Sequence, residues 1–438
     1  RTTVLLALLC LLGLTGTAQA VVPHDVLPRP ALSAGVVVAP QVVQPQGSLL
    51  RFGSASDNEL SLADRVRAAL SRSSAVTVSA AVDVDGLGQV LRTDSGHALP
   101  PASTQKSYVA TAALLALPEK YRWTTEVAAR TTPTAGRLPG GLWLVAGGDP
   151  YLSKLGLRGL ARSVRASGIT YVTGDLLLDD SRYDNQRRVS GWKTEYVPEQ
   201  SGPLSALVVD RNTWRRDRAF LADPAVPIAA LFRDYLQAEG VVVHGVIRRN
   251  RRPADARSVA TTQSGPVADV VRRILKNSDN FAAELLLKEV GRKVSGTGTS
   301  AAGMTGVRSV LSARGVPVGV GSDGSGLSSQ DRQTTGGQLL LLQAAAADAA
   351  AAGPELLRAL PLACRDGTLK TRMCNSAASG RLSAKTGTLP GIRSLVGYTT
   401  TASGRSVQFA FQLTGVQDGI AARDAMDAAA IVLASATE

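Results

Sequence analysis

Histidine, cysteine, lysine and aromatic residues are scarce in this chain of 438 residues, and each scarcity narrows the chemistry open to it. There are three histidines, His24, His97 and His244, and three cysteines. Scattered as they are, they make no metal-ligand set. Aromatics amount to 4%, too few to interleave with the dispersed arginines as a nucleic-acid surface requires, so no nucleic-acid partner is expected. Long apolar runs are also missing. The one candidate, Val4 to Leu14, falls well short of the roughly twenty residues that a membrane span needs.

That run passes into small residues and ends in Ala18-Gln19-Ala20, an A-x-A cleavage signature. Residues 1–20 therefore read as a secretory signal, and no transmembrane span is expected after its removal. Leu9 before Cys10 offers no lipidation signature. Export to a cell wall or periplasmic space implies oxidising conditions, and the cysteines left there are Cys364 and Cys374 in CRDGTLKTRMC. One disulfide between them is expected, with two unrelated buried thiols as the alternative. The formal net charge is +13, or +12 once Arg1 leaves. Such a balance favours anionic wall or lipid surfaces, although most of these charges should simply sit on solvated faces.

Hydrophobic content of 44% with 19% charged residues marks a globular chain rather than a disordered one. Residues 21–56, rich in Val, Pro, Gln and Ser without a helical period, read as a linker or arm. From Leu60 the pattern is regular. LSLADRVRAALSRS has helical periodicity, AVTVSAAVDVD alternates as a strand, and QVLRT returns as a second strand after a glycine turn. Between Trp123 and Val259 the texture shifts to short strands and turns with two helical segments, LRGLARSVRASG and IAALFRDYLQAEG. VADVVRRILKNSDNFAAELLLKEVG follows as a helix broken near Asn277. RSLVGYTTTASGRSVQFAFQLTG reads as a hairpin turning at Ser403-Gly404, and AARDAMDAAAIVLAS closes the chain as a helix. Early and late segments both supply strands with helices. The expected class is α+β with an antiparallel sheet, its core shared by 57–122 and 260–438 around an insertion at 123–259.

Lysine is the informative scarcity: thirty-nine arginines stand against nine lysines. Arginine stays charged in proteins, whereas a buried or crowded lysine loses its proton, so a position that must accept a proton needs lysine. Lys106 stands three residues after Ser103, at the start of an alanine-rich helix. The pair would share one helix face, and the helix start would favour negative charge developing on the serine oxygen. S-x-x-K also occurs at Ser190/Lys193, in loop-like sequence holding a Gly and a Trp, and that copy is set aside. S-D-N occurs at Ser56-Asp57-Asn58, inside the arm, and at Ser278-Asp279-Asn280, at a helix junction between apolar runs. Ser278 could equally cap the following helix, with Glu284 in its early turns. Lys385-Thr386-Gly387 precedes a predicted strand, and about 0.07 occurrences of K-T-G are expected by chance. There Lys385 and Thr386 could hold a carboxylate, and Gly387 could let a ligand backbone approach.

In this order the three motifs are a known signature of penicillin-interacting serine enzymes. PASTQK, SDNFAAELL and AKTGTL, with LWLVAGGDPYL, GPLSALVVDRN and DGSGLSSQDRQT, resemble the D-alanyl-D-alanine carboxypeptidases/endopeptidases of the low-molecular-weight penicillin-binding proteins, peptidase family S13. The 175 positions from Ser103 to Ser278 are like that family's insertion between its first two motifs. The resemblance implies a penicillin-binding-protein/β-lactamase-like transpeptidase domain with a large inserted, mainly-β region. It implies Ser103 as nucleophile, Lys106 as base, Ser278 as proton donor to the leaving amine, Asn280 as positioner of substrate and Lys106, and Lys385 beside them. The backbone N–H groups of Ser103 and Thr388 would form the oxyanion hole. The implied substrate is a peptidoglycan stem peptide ending in D-Ala-D-Ala, with β-lactams as covalent inhibitors and no metal or cofactor. The arm and the Cys364/Cys374 pair lie outside the recognised pattern.

A Ser-His-Asp triad is disfavoured, because none of the three histidines is well placed and no G-x-S-x-G elbow surrounds Ser103. A serine β-lactamase would share the motifs but keep the first two much closer together. A non-catalytic wall-binding scaffold would tolerate eroded motifs, and here all are intact.

Overall fold

The computed structural model describes residues 60–348 and 352–438; the expected signal and arm lie outside the described residues. The periodicities of the sequence become elements almost where they end. LADRVRAALS forms the helix Leu62–Ser71, capped by Ser61 accepting from the Asp64 amide. The alternating stretch after it forms the strand Thr77–Val84, which pairs antiparallel with Gly88–Thr93 and with Ser406–Thr414. Ser406–Thr414 in turn pairs with Ile392–Thr400, and that strand with Ser383–Leu389. The result is a five-stranded antiparallel sheet whose outer strand carries Lys385-Thr386-Gly387.

Period-two alternation explains how this sheet is covered on both faces. Val407, Phe409, Phe411 and Leu413 point to one side, where they are buried with Leu62, Val66 and Leu70 and with Met426, Ala429 and Leu433 of the last helix, Gly419–Ser435. Each of the buried Val, Leu, Phe and Met side chains contributes roughly 1.5–3 kcal/mol relative to an exposed one. Ala410 faces the other way, into the core of the helices Gln105–Ala116, Val267–Asn277 and Asn280–Ser295. The helix Thr335–Ala347 lies directly against this face, between the sheet and the helix that follows Ser103. The helix after Ser103 is buried around nearly its whole circumference from Gln105 to Ala113, its polar Gln105, Lys106, Ser107 and Thr111 included.

A second five-stranded sheet has the order Arg257–Gln263, Thr124–Ala129, Leu142–Val145, Leu176–Asp179, Ile247–Arg249. Its first three strands are antiparallel and the last two pairings parallel. Parallel neighbours need long crossovers. Here they run through the helices Lys154–Ala166 and Ala225–Ala238, the two segments with helical texture in the sequence. Arg257–Gln263 pairs with Thr124–Ala129, so this sheet continues past position 259. Strand texture alone does not reveal which sheet a strand will join.

The helix Asn280–Ser295 joins the two regions. Phe281 and Leu285 sit in the core of the second region, while Ala282, Ala283, Leu286, Leu287 and Val290 sit in the core around the nucleophile helix. Its buried Glu289 accepts from Tyr121, Tyr183, Arg182 and Arg292. A buried carboxylate is tolerable only with such partners. This network fixes the direction of the helix that presents Asn280.

Candidate active site

Ser103 lies in a tight 3-10 turn, Ala102–Thr104, just before the α-helix that begins at Gln105. Ala102 adopts a left-handed conformation, φ +50°, which is uncommon for a residue with a side chain. Lys106, on the first helical turn, is fully buried. Its Nζ donates to Ser103 Oγ at 2.8 Å, Asn280 Oδ1 at 2.8 Å and the Ser325 carbonyl at 2.5 Å. Three acceptors match the three donors of an ammonium group. When the amine is neutral, two N–H bonds can stay on the two carbonyl oxygens while the lone pair faces the Ser103 hydroxyl. Burial lowers the Lys106 pKa to about 8 against the opposing pull of Asp323, Glu284, Asp279 and Asp331.

The break in the helical pattern near Asn277 is real. Ser278 takes a left-handed conformation, φ +54°, between the two helices. The cap of the following helix is Asp279, which accepts from the Ala282 amide at 3.1 Å, rather than Ser278. Ser278 is thereby free to accept from Lys385 Nζ at 2.9 Å. Asn280 uses its amide at both ends: Oδ1 takes Lys106, and Nδ2 donates to the Gln200 carbonyl at 3.0 Å.

Lys385 is also fully buried and donates to the Thr386 carbonyl at 2.8 Å. Burial and the neighbouring Lys106 hold its pKa well below the usual lysine value. Gly387 has a packing role as well. A Cβ there would stand 2.0 Å from Ser394 Oγ and 2.8 Å from the Pro101 carbonyl. The glycine therefore lets the strand press against the turn that holds Ser103. Ser394 Oγ donates to that same Pro101 carbonyl at 2.8 Å. Thr388, on the same strand, lines an open cleft of about 560 Å³ together with Ser103, Ser278, Asn280 and Thr386.

Several cleft residues carried no catalytic signal in the sequence. Ser325 belongs to DGSGLS, a loop held by two buried carboxylates. Asp323 accepts from the Gly326 and Ser328 amides at 2.7 and 2.8 Å and from Trp192 Nε1 at 2.6 Å. Glu284 accepts from the Gly324 and Ser325 amides at 3.0 and 2.7 Å. Burial raises the Glu284 pKa to about 8, and burial beside Asp323 raises that of Asp331 to about 10. Gln200, Tyr196 and Lys193 reach the cleft from the region between the first two motifs, and Thr368 reaches it from the segment before Lys385. The second S-x-x-K copy is divided: Ser190 Oγ donates to Gln330 at 3.4 Å, while Lys193 lines the cleft wall. Cys364 and Cys374 are bonded to each other. Among the described residues no group of three or more His, Cys, Asp or Glu side chains could hold a metal ion.

A buried amine beside a serine hydroxyl, with a second lysine on a sheet edge, is an arrangement for acyl transfer. The chain is similar to known proteins. A family model described as "D-Ala-D-Ala carboxypeptidase 3 (S13) family" matches residues 62–218 and 218–436. A D-alanyl-D-alanine carboxypeptidase of an Actinomadura species is 31% identical over 422 residues, covering 75% of this chain and 77% of the relative. Carboxypeptidase DacB of Mycolicibacterium smegmatis is 30% identical over 366 residues, covering 77% and 75%. Among solved structures, penicillin binding protein 4 (dacB) from Haemophilus influenzae superposes with a TM-score of 0.75 at 21% identity, over 83% of this chain and 97% of that one. That likeness shows a shared fold. With the family model spanning nearly all of the described residues, the chain belongs to the D-Ala-D-Ala carboxypeptidase 3 (S13) family.

Proposed function

We propose that this protein is a serine-type D-alanyl-D-alanine carboxypeptidase that cleaves peptidoglycan stem peptides through an acyl-enzyme on Ser103. The observation that carries the reading is the Lys106 amine, buried, 2.8 Å from Ser103 Oγ and depressed to about 8. A general base works best with a pKa near the operating pH.

In this mechanism neutral Lys106 takes the Ser103 proton as Oγ attacks the carbonyl carbon of the penultimate D-Ala. The carbonyl oxygen becomes an oxyanion, held by the backbone N–H groups of Ser103 and Thr388. The tetrahedral intermediate collapses by breaking its C–N bond. The leaving D-Ala nitrogen takes a proton from Ser278 Oγ, which recovers one from Lys385 Nζ at 2.9 Å, and the proton that Lys106 took from Ser103 makes good the loss at Lys385. Lys385, on the strand edge that also carries Thr386, binds the terminal carboxylate, and Asn280 holds the substrate amide while fixing Lys106. Lys106, neutral again, then takes a proton from water as the water oxygen adds to the ester carbonyl; the acyl C–Oγ bond breaks, and Ser103 Oγ takes that proton back from Lys106. No step needs a metal or organic cofactor.

β-Lactams would acylate the same serine. A solved structure of the Haemophilus relative holds a β-lactam. Action on peptidoglycan places the protein outside the cytoplasm. The Cys364–Cys374 bond is in keeping with such a compartment. No helix among the described residues is long and apolar enough to cross a membrane. We also infer that residues 123–263, rather than 123–259, form the inserted unit, since the pairing of Arg257–Gln263 with Thr124–Ala129 supports the later boundary.

Two assays test the reading. Fluorescent penicillin should label the wild type stably and leave Ser103→Ala unlabelled. A defined stem pentapeptide should release one D-Ala, and a cross-linked dimer in parallel would measure endopeptidase action. Rapid turnover of the drug would favour a β-lactamase, and no labelling at all would favour a scaffold.

A further inference from the structure

The Cys364–Cys374 bond closes a loop that the catalytic scheme leaves unused, and that loop touches the Lys385-Thr386-Gly387 motif and the helix end just before Ser278. At its middle, Thr368 lines the cleft, and its Oγ1 accepts from Thr386 Oγ1 at 2.8 Å. Two hydroxyls joined by one hydrogen bond spend one proton between them, which leaves the second O–H for a ligand. On the other side, both oxygens of Asp366 take Lys276 Nζ at 2.8 Å. Lys276 stands two residues before Ser278, at the end of the preceding helix. Gly367 is pressed against that helix end, where a Cβ would stand 2.6 Å from the Lys276 carbonyl. The loop is thus a bridge from the Ser278 corner to the Lys385-Thr386-Gly387 strand.

The disulfide joins the two ends of this bridge beside several non-covalent ties: the Cys364 amide donates to the Leu369 and Arg372 carbonyls, and Arg372 donates to both oxygens of Asp427 at 3.1 and 2.6 Å. Lys276–Asp366 is a partly exposed pair, with Asp366 45% exposed, and pairs of that kind contribute little. Leu369 is the loop's fully buried apolar anchor. Cys364 and Met373, at the two ends, adopt left-handed conformations, φ +56° and +54°, which side-chain-bearing residues rarely take. A covalent link between the two ends restricts the alternatives to this backbone path.

We propose that Thr368 is a substrate-binding residue: with the Thr386 proton engaged on Thr368 Oγ1, Thr368 donates its own O–H to the terminal carboxylate beside Lys385, and the Cys364–Cys374 bond helps to position it. The proposal rests on the D-Ala-D-Ala peptidase reading. It adds a binding group from outside the three motifs and gives the disulfide a role in substrate affinity. A carboxylate oxygen accepting from Thr368 would lie on the loop side of the strand, away from Ser103, and would orient the terminal D-Ala without touching the scissile bond. Loss of this contact should therefore weaken binding and leave the chemical step alone.

The test compares a diacetylated Lys-D-Ala-D-Ala peptide with its C-terminal carboxamide, using wild type, Thr368→Val and the double variant Cys364→Ser/Cys374→Ser. A hydrogen bond to a charged group supports an expectation that Thr368→Val raises KM for the carboxylate peptide about tenfold. Its kcat should be unchanged, and KM for the carboxamide should hardly move. The double variant should shift KM in the same direction, as should reduction of the wild type, because Cys374 is exposed. Should the double variant fail to fold, Thr368→Val and reduction still decide the matter. A folded Thr368→Val enzyme with unaltered KM, or with equal losses on both peptides, overturns the role of Thr368. An unchanged KM after complete reduction overturns the role of the disulfide. A wild type inert to both peptides and to penicillin would instead sink the peptidase reading beneath them.

Discussion

Lys106 Nζ and Asn280 Oδ1 lie 2.8 Å apart although 174 positions separate them in the chain. That contact joins the nucleophile helix to the helix shared by both cores. It fixes the amine beside Ser103 by a side chain whose other end is tied to the Gln200 carbonyl. Anything that moves the helix Asn280–Ser295 should therefore be felt at the base.

Replacing the base tests its role directly. Lys106→Met keeps the length and the burial but has no lone pair to take the Ser103 proton. Acylation by penicillin should fall by about 10²–10⁴, the usual weight of a general base. Stopped-flow measurement of acylation on the folded variant checks this, and a loss below tenfold would place the base elsewhere.

The pH dependence follows from the sign of the Lys106 shift. Only the neutral amine accepts a proton, so acylation should rise with pH and level off above about 8. Glu284, when ionised, pulls the Lys106 pKa upward. Glu284→Gln removes that charge, so the acid limb of the profile should move to lower pH. A limb that stays in place or moves upward would contradict the assignment.

Gly387 is expected to tolerate no side chain. In Gly387→Ala the new methyl would meet the Pro101 carbonyl at 2.8 Å, and that backbone belongs to the Ser103 turn. Overpacking of this kind costs about 1–3 kcal/mol. Thermal unfolding should show the loss. Penicillin acylation should slow as well, because the strand must retreat from the nucleophile.

Trp192 couples the middle region to the base through Asp323. Trp192→Phe removes the indole N–H that donates to Asp323 at 2.6 Å, leaving a buried carboxylate one donor short. The expected destabilisation is about 1.5–3 kcal/mol. If the coupling reaches Ser325 and hence Lys106, the pH profile of acylation should shift as well, whereas a purely local defect would change only the unfolding midpoint.

The amino-acid sequence by itself determined the elements and the chemistry of the motifs. Strict alternation in SVQFAFQLT dictates a strand with an apolar face, and the shortage of lysine made Lys106 and Lys385 conspicuous. Periodicity and residue chemistry are local, and so they are legible along a single chain. What only the tertiary structure decided depends on distant segments meeting. Asp279 rather than Ser278 caps the helix because the left-handed turn rotates Ser278 toward Lys385, and a Cβ at Gly387 would meet Ser394 and Pro101. Trp192, Asp323, Ser325 and Thr368 gained their places at the site through contacts between segments far apart in the chain. Spacing along the sequence carries no trace of such contacts, because the packing of two cores on one helix sets them.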